Sequence, residues 1–361
     1  MGKKNKENAK NCRLGTVGGQ AVLEGVMMKN KKKWAVAVRM PDGSIKVTKG
    51  EHVTLKDRYK FFRIPIIRGI ANFIESMIFS YKTLAISTES MGLEELEAES
   101  KFEKWLDKHL GKNLMNVVMG ISAVLGVLLG VGLFFFLPIW ITRGVETLLG
   151  GDIGWFKNLL EGVIKIVIFI GYLLLTSLMK DIRRTFEYHG AEHKSIFCYE
   201  SGEELTVENV KKHKRFHPRC GTSFLFVMLF LSILVYSLPF ITWDNMILRL
   251  ATKLIMLPLI VGLGFEFIMF SGKHDNVITR ILSAPGKWMQ RITTREPDDG
   301  QIECAIAALK CALIDAFPEV ENEYLIVDEK DVENVATEEK TEEDTEPKTE
   351  SEELSAEDET K

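Results

Sequence analysis

The sequence lacks the phosphate-binding G-x-x-x-x-G-K-[ST] run, the G-x-S-x-G nucleophile turn and the G-x-G-x-x-G dinucleotide fingerprint. Nucleotide-driven and serine-hydrolase chemistry therefore have no support. Cysteine is scarce: five unevenly spaced residues do not make a disulfide framework, and a reduced, cytoplasmic state is expected. No apolar run follows the opening M-G-K-K-N-K-E-N-A-K, which does not fit a secretory signal. Lys6 stands where a myristoylation motif needs Ser or Thr. Residues 328–361 have almost no large apolar side chains but hold 16 Asp/Glu against 4 Lys, and read as a disordered acidic tail. Removing that tail's −12 from the chain's −4 leaves about +8 on residues 1–327. A basic body of this kind suits anionic membrane lipids as partners, with no nucleic acid expected.

Charge is also missing from one long run. Residues 114–141 contain none over 28 positions, ample for a membrane span. Further spans are expected over 162–179, 221–241 and 247–270, the last containing Arg249, Lys253 and Glu266. Nine Lys/Arg over 180–220 and five over 271–295 place those segments, and both termini, on the cytoplasmic side. Residues 61–88 are apolar but interrupted by Arg63, Arg68, Glu75 and Lys82, so a helix lying on or dipping into the interface is preferred to a fifth span.

The termini read as cytoplasmic structure. W-A-V-A-V-R-M and S-I-K-V-T-K flank Pro41-Asp42-Gly43, a hairpin signal. Before it, glycines at 15, 18, 19 and 25 imply tight turns or close backbone approach. Gln20 and Glu24 in that entry read either as surface-loop residues or as site-lining ones. Past the spans, Q-I-E-C-A-I-A-A-L-K-C-A-L favours a helix capped by Asp298 or Asp299, with Cys304 and Cys311 on its buried face. The expected fold is an α-helical membrane protein with about four transmembrane helices plus a small cytoplasmic α+β region. Its parts are a basic, Gly-rich and hairpin-bearing stretch (1–60), interfacial and charged helices (61–113) and a four-span domain (114–270). A cytoplasmic helical region (271–327) and the tail (328–361) follow.

The chemistry concentrates between 186 and 223, which holds four of the seven histidines and two of the five cysteines. His189 and His193, four apart, share one face of a helix, and Glu192 completes H-x-x-E-H. In the inverzincin arrangement two such histidines bind zinc and the glutamate takes a proton from metal-bound water. His217 and Cys220 offer a further nitrogen and sulfur. The candidate set is therefore His189, His193, His217 and Cys220 for Zn²⁺, with Glu192 as the base. A hydrogen-bonded polar cluster without metal is the plainer reading. Glu266, a carboxylate in an apolar run, is a candidate ligand or outer partner. Arg219 could bind a phosphate or carboxylate, or anchor the loop to the membrane. His213 reads as solvated.

G-G-Q-A-V-L-E-G-V-M-M (18–28), Y-H-G-A-E-H-K (188–194) and R-F-H-P-R-C-G-T-S-F (215–224) together resemble the YqhQ-like family. L-T-V-E-N-V (205–210) and E-P-D-D-G-Q-I-E-C-A-I-A-A-L (296–309) fit it as well, and the resemblance covers about 12–318. It implies a multi-pass protein of the bacterial cell membrane, from a family of unknown function that is sometimes labelled as predicted metal-dependent enzymes. That metal label falls here on His189, Glu192, His193, His217 and Cys220. Two functions stay open. One is a zinc hydrolase at the cytoplasmic face acting on a lipid-linked molecule or membrane peptide. The other is a non-enzymatic assembly or scaffold protein.

Overall fold

The computed structural model describes residues 13, 15–91, 114–154, 156–217, 220–238, 245–273 and 277–329. Four antiparallel strands, β1 (Val17–Val22), β2 (Gly25–Asn30), β3 (Lys33–Arg39) and β4 (Ile45–Glu51), form a meander. The expected hairpin is β3–β4, turning through Met40–Ser44, where Gly43 has φ 86°. The Gly-rich entry forms the other hairpin, β1–β2, rather than a surface loop. A fifth strand, β5 (Leu325–Asp328), adds in parallel beside β4. Asp328 thus closes the sheet and Glu329 pairs with Lys82, so order runs slightly beyond 327. The remainder of the expected tail, 330–361, lies outside the described residues.

β2 and β3 are buried on both faces, because helices cover the sheet on each side. On one face Trp34, Val36 and Val38 pack against Phe79 and Ile86 of α1 (Ile67–Ser90), with Trp34 and Phe79 edge to face at 5.5 Å. On the other, Val26, Met28, Ala35 and Ala37 share a core with Tyr188, Ala191 and the alanine-rich stretch Ala305–Leu309. The helix bearing that stretch is capped by Asp298, whose side chain accepts from Gln301 N–H while Gln301 reaches back, a reciprocal capping box. Cys304 and Cys311 lie in this core.

Between these layers the chain enters its apolar helices. α2 (Leu114–Val131) runs through a π-helical turn, Gly132–Phe136, into α3 (Leu137–Leu149). Next come α4 (Phe156–Thr176), α5 (Lys180–Ser201), α6 (Val207–Lys211) and α7 (Gly221–Tyr236). α8 (Met246–Lys273), α9 (Val277–Thr293) and α10 (Asp299–Ala312) complete the chain before β5. Three stretches are long and apolar enough to cross a membrane: Val124–Leu149, Phe156–Thr176 and Ile247–Phe267. They carry outward-facing apolar side chains such as Val127, Leu129, Val167 and Ile255. The expectation of four such helices is met by three. α7 is apolar but has 16 residues, short of the roughly 20 that a straight span needs. α1 is not among the three. One of its faces is committed to the sheet, and Ile74, Met77, Ile78 and Tyr81 are exposed on it.

Candidate metal centre

α5 is a separate helix from α4. The chain unwinds at Ser177–Met179, where Met179 is extended (ψ 134°), and the redirected helix lies against the sheet. His189 and His193 stand one turn apart with ring centroids 4.4 Å from each other. Cys220, at the N-terminal boundary of α7, closes the group: its Sγ is 3.2 Å from His189 Nε2. One ligand atom from each of His189, His193 and Cys220 lies within 4.8 Å of the others. Tetrahedral zinc, with Zn–N about 2.0 Å and Zn–S about 2.3 Å, spaces nitrogen and sulfur about 3.5 Å apart, so the donors need little movement.

The far side of each ring fixes its tautomer. His189 Nδ1 is 2.8 Å from the Thr293 carbonyl, and His193 Nδ1 bonds the Arg215 carbonyl. A carbonyl only accepts, so Nδ1 carries the hydrogen in both rings, and in the neutral imidazole that tautomer leaves the lone pair on Nε2. Metal-ligating histidines have this outer support. Gly190 makes the first contact possible: a Cβ there would sit 2.0 Å from the Arg295 carbonyl. Arg295 N–H also donates to the Phe186 carbonyl, tying the α9 exit to α5.

Glu192 is 5% exposed and Oε2 has no hydrogen-bond partner among the described residues. Gly19 of β1 is its nearest wall. A Cβ at 19 would lie 2.9 Å from Glu192 Cγ and Oε1 and 2.8 Å from the Met27 carbonyl, so only glycine lets the strand close over the carboxyl. Burial pushes the Glu192 carboxyl up to about 8; the Cys220 sulfur adds to that and His189 opposes it. Burial also lowers His193. An isolated pocket of this kind favours neutral groups, and a buried carboxyl oxygen without a partner among the described residues, beside three converging donors, fits a cation.

The cavity in front of these groups holds about 400 Å³ between β1, α5 and the start of α7. Gln20 lines it and accepts from Ser80 Oγ. His217 lines it too, its ring 5.5 Å from His193, yet it is not one of the three converging donors. Its Nε2 lies 3.7 Å from Glu200 Oε2, and Gln290 brackets its backbone, accepting from N–H at 2.7 Å and donating to the carbonyl at 2.8 Å. Glu24 is not site-lining. At the strained β1–β2 turn (φ 50°) its carboxylate accepts from Arg184 and from Tyr188 Oη. Glu266 is gripped by both Arg68 Nε, at 3.1 Å, and a second guanidinium nitrogen. That cationic partner satisfies the carboxylate away from the histidines. Arg219 lies outside the described residues. A second trio, Cys198, Glu203 and His213, is weaker: the thiol, pushed up to about 11 by burial, donates to the Glu204 carbonyl, and Glu203 is exposed.

The residues that sequence reasoning missed act mainly through backbone. Thr293 and Arg215 contribute carbonyls, Gly19 and Gly190 contribute the absence of a side chain, and Gln290 holds a main-chain segment. The glycine density at 15–25 was the one available signal among these.

The family described as "Protein of unknown function (DUF1385)" matches residues 64–315. The "Uncharacterized protein YqhQ" of Bacillus subtilis (strain 168) is 35% identical over 300 residues, covering 80% of this chain and 89% of that protein. No solved structure matches the chain.

Proposed function

The chain belongs to the DUF1385 family, YqhQ-like proteins of unknown function, and we propose that it is a membrane-embedded, zinc-dependent hydrolase working at the cytoplasmic face. His189 Nε2, His193 Nε2 and Cys220 Sγ are the proposed ligands and Glu192 the acid–base residue. The observation that carries this reading is the paired Nδ1–carbonyl contacts, which leave both Nε2 atoms for a ligand, in a group where one donor from each of His189, His193 and Cys220 lies within 4.8 Å of the others. Three protein ligands and one open position is the pattern of catalytic rather than structural zinc. Zinc in such a site supplies Lewis acidity, polarising an electrophile and easing the ionisation of water. Glu192 takes and returns protons at Oε2, its carboxyl held towards the cavity by the close approach of β1. Gly18, Gly19 and Gln20 of β1 line one wall of the cavity, and Leu225 lines it on the side of the apolar helix α7. A lipid-linked molecule or membrane peptide arriving sideways is the substrate class that suits a cavity bordered by an apolar helix.

Chain parity supports four crossings with both termini on the site's side. The sheet, α5 and α10 share one core and so stand on one side of the membrane. An even number of crossings must therefore separate β4 from α5, and α5 from α10. The continuous α2–α3 rod and α4 supply the first pair. α8 needs a partner, and α7 is the remaining apolar helix of the described chain. At about 24 Å it is short for a span, and local bilayer thinning accommodates that deficit.

The enzyme reading is tested by complementing a deletion strain with Glu192→Gln, which keeps the side chain's shape and removes the base. A null phenotype with full zinc content is expected. Full complementation would return the protein to the scaffold class.

A further inference from the structure

A second polar centre lies among the apolar helices, away from the histidines. Glu161, Lys165, Arg249 and Lys253 are at most 5% exposed, three cations against one carboxylate. The carboxylate is fully used: Arg249 reaches one Glu161 oxygen at 2.6 Å and Lys253 the other. Arg249 also donates to Asn158 Oδ1 at 2.8 Å. Lys165 is different. Among the described residues its ammonium makes no hydrogen bond or close ion pair; Glu161, one turn earlier on α4, acts on it only through space, and it sits 4.9 Å from the ring centroids of both Phe135 and Tyr236. It lies nine residues after the start of α4 and eleven before its end, about 14 and 16 Å along the axis and so near mid-span.

This ammonium borders a partly open cavity of about 230 Å³ lined by α4, α7, α8 and the π-helical turn. That turn carries Phe134 and Phe135 to the cavity wall, and Phe169, Met228, Leu257 and Ile260 complete an apolar lining. Such turns recur at functional sites. A buried cation with no anion in direct contact is costly in an apolar span and marks a binding or transport position by default.

We propose that this cavity binds a single-chain hydrophobic carboxylic acid, its carboxylate paired with Lys165. Three features select that ligand. The set holds three basic side chains against one carboxylate, which Arg249 and Lys253 already occupy, so the group that complements Lys165 is an acid. The volume, below the roughly 300–1,000 Å³ that encloses drug-sized ligands, seats the carboxyl end of one chain, whose remainder leaves through the open side, and has no room for the branched headgroup of a two-chain lipid. The depth favours a carboxylic acid, which crosses hydrocarbon as the uncharged acid and ion-pairs on arrival, whereas a phosphodiester stays ionised. The site goes beyond the hydrolase reading and needs no metal, although its cavity and the metal cavity share Leu225.

The test is binding of a fluorescent long-chain carboxylic acid to the detergent-solubilised full chain, beside the matched alcohol and a two-chain phosphatidylglycerol competitor. The acid should bind at least about tenfold more tightly than the alcohol, as a charge-assisted contact implies. Phosphatidylglycerol should compete poorly. Lys165→Met should erase the acid's advantage and Lys165→Arg should keep much of it, with thermal unfolding confirming that both fold. Met228→Trp, which fills the cavity and leaves Lys165 in place, should weaken acid and alcohol together. Equal binding of acid and alcohol to the wild type would overturn the proposal and leave Lys165 a packing cation on two rings. Effective competition by phosphatidylglycerol, or unchanged acid binding in Lys165→Met, would overturn it as well.

Discussion

Replacing Glu192 with Gln should make the metal-free protein more stable above neutral pH. The carboxyl is pushed from 4.5 up to about 8 by burial. Between those values the folded chain holds a proton that the unfolded chain has released, so stability falls as pH rises through this window and levels off above it. The span from 4.5 to about 8, at about 1.4 kcal/mol per pH unit, sets an upper limit of about 5 kcal/mol, and a loss on the order of 3 kcal/mol is realistic once water reaches the site. His193 acts with the opposite sign. Its folded value lies below 6.5, so the unfolded chain binds more protons there and stability rises with pH up to about 6.5. Thermal unfolding in detergent with a strong chelator, from pH 5 to 8.5, separates the two. The wild type should lose stability towards pH 8, and Glu192→Gln should keep only the His193 rise. At pH 8 the variant should melt higher by about 5–10 °C. Saturating zinc should shrink that gap, because a nearby dication offsets the cost of the carboxylate. An unchanged pH slope in Glu192→Gln, or a lower melting point at pH 8, would refute the reasoning.

Gly190→Ala should drive α5 from the Arg295 carbonyl, cost about 1–3 kcal/mol and weaken zinc binding roughly 10- to 100-fold through loss of the His189–Thr293 contact; melting curves and a zinc-buffer titration measure both. Glu266→Gln should lower stability modestly by unpairing Arg68 yet leave zinc content at the wild-type level, read by elemental analysis. Single cysteines at the exposed positions Asp152 and Asn245 should react with an impermeant maleimide only from outside intact cells, in a Cys12→Ser background. Cysteines at Asp42 and Glu319 should react only after lysis. The buried Cys198, Cys220, Cys304 and Cys311 should stay silent in both.

Side-chain pattern made the heart of the site legible. The four-residue spacing of His189 and His193, with Glu192 between and Cys220 downstream, requires only that the stretch be helical, and α5 is. The partners that orient those rings are main-chain carbonyls, which every residue has and no sequence pattern marks. Glu266 illustrates the other limit. Its cost in an apolar run was readable, but its partner Arg68 is 198 positions away, and nothing local chooses between Arg68 and the histidines. The β1–β2 hairpin escaped because glycine and methionine blur the alternation that marks a strand, and the glycines serve close packing against Glu192 as well as turning. α7 read as a full span because its apolar run continues past Tyr236, whereas the described helix stops there. Lys165, Arg249 and Lys253 were visible as interruptions, and their gathering around Glu161 follows only from helix packing.

The central claim is that His189, His193 and Cys220 form one metal centre, and elemental analysis of the purified full chain tests it most directly. One zinc per chain is expected in the wild type, with near-complete loss in a His189→Ala/His193→Ala double variant that still folds. Wild-type protein prepared with zinc supplied and no chelator, yet carrying no stoichiometric transition metal, would contradict the account.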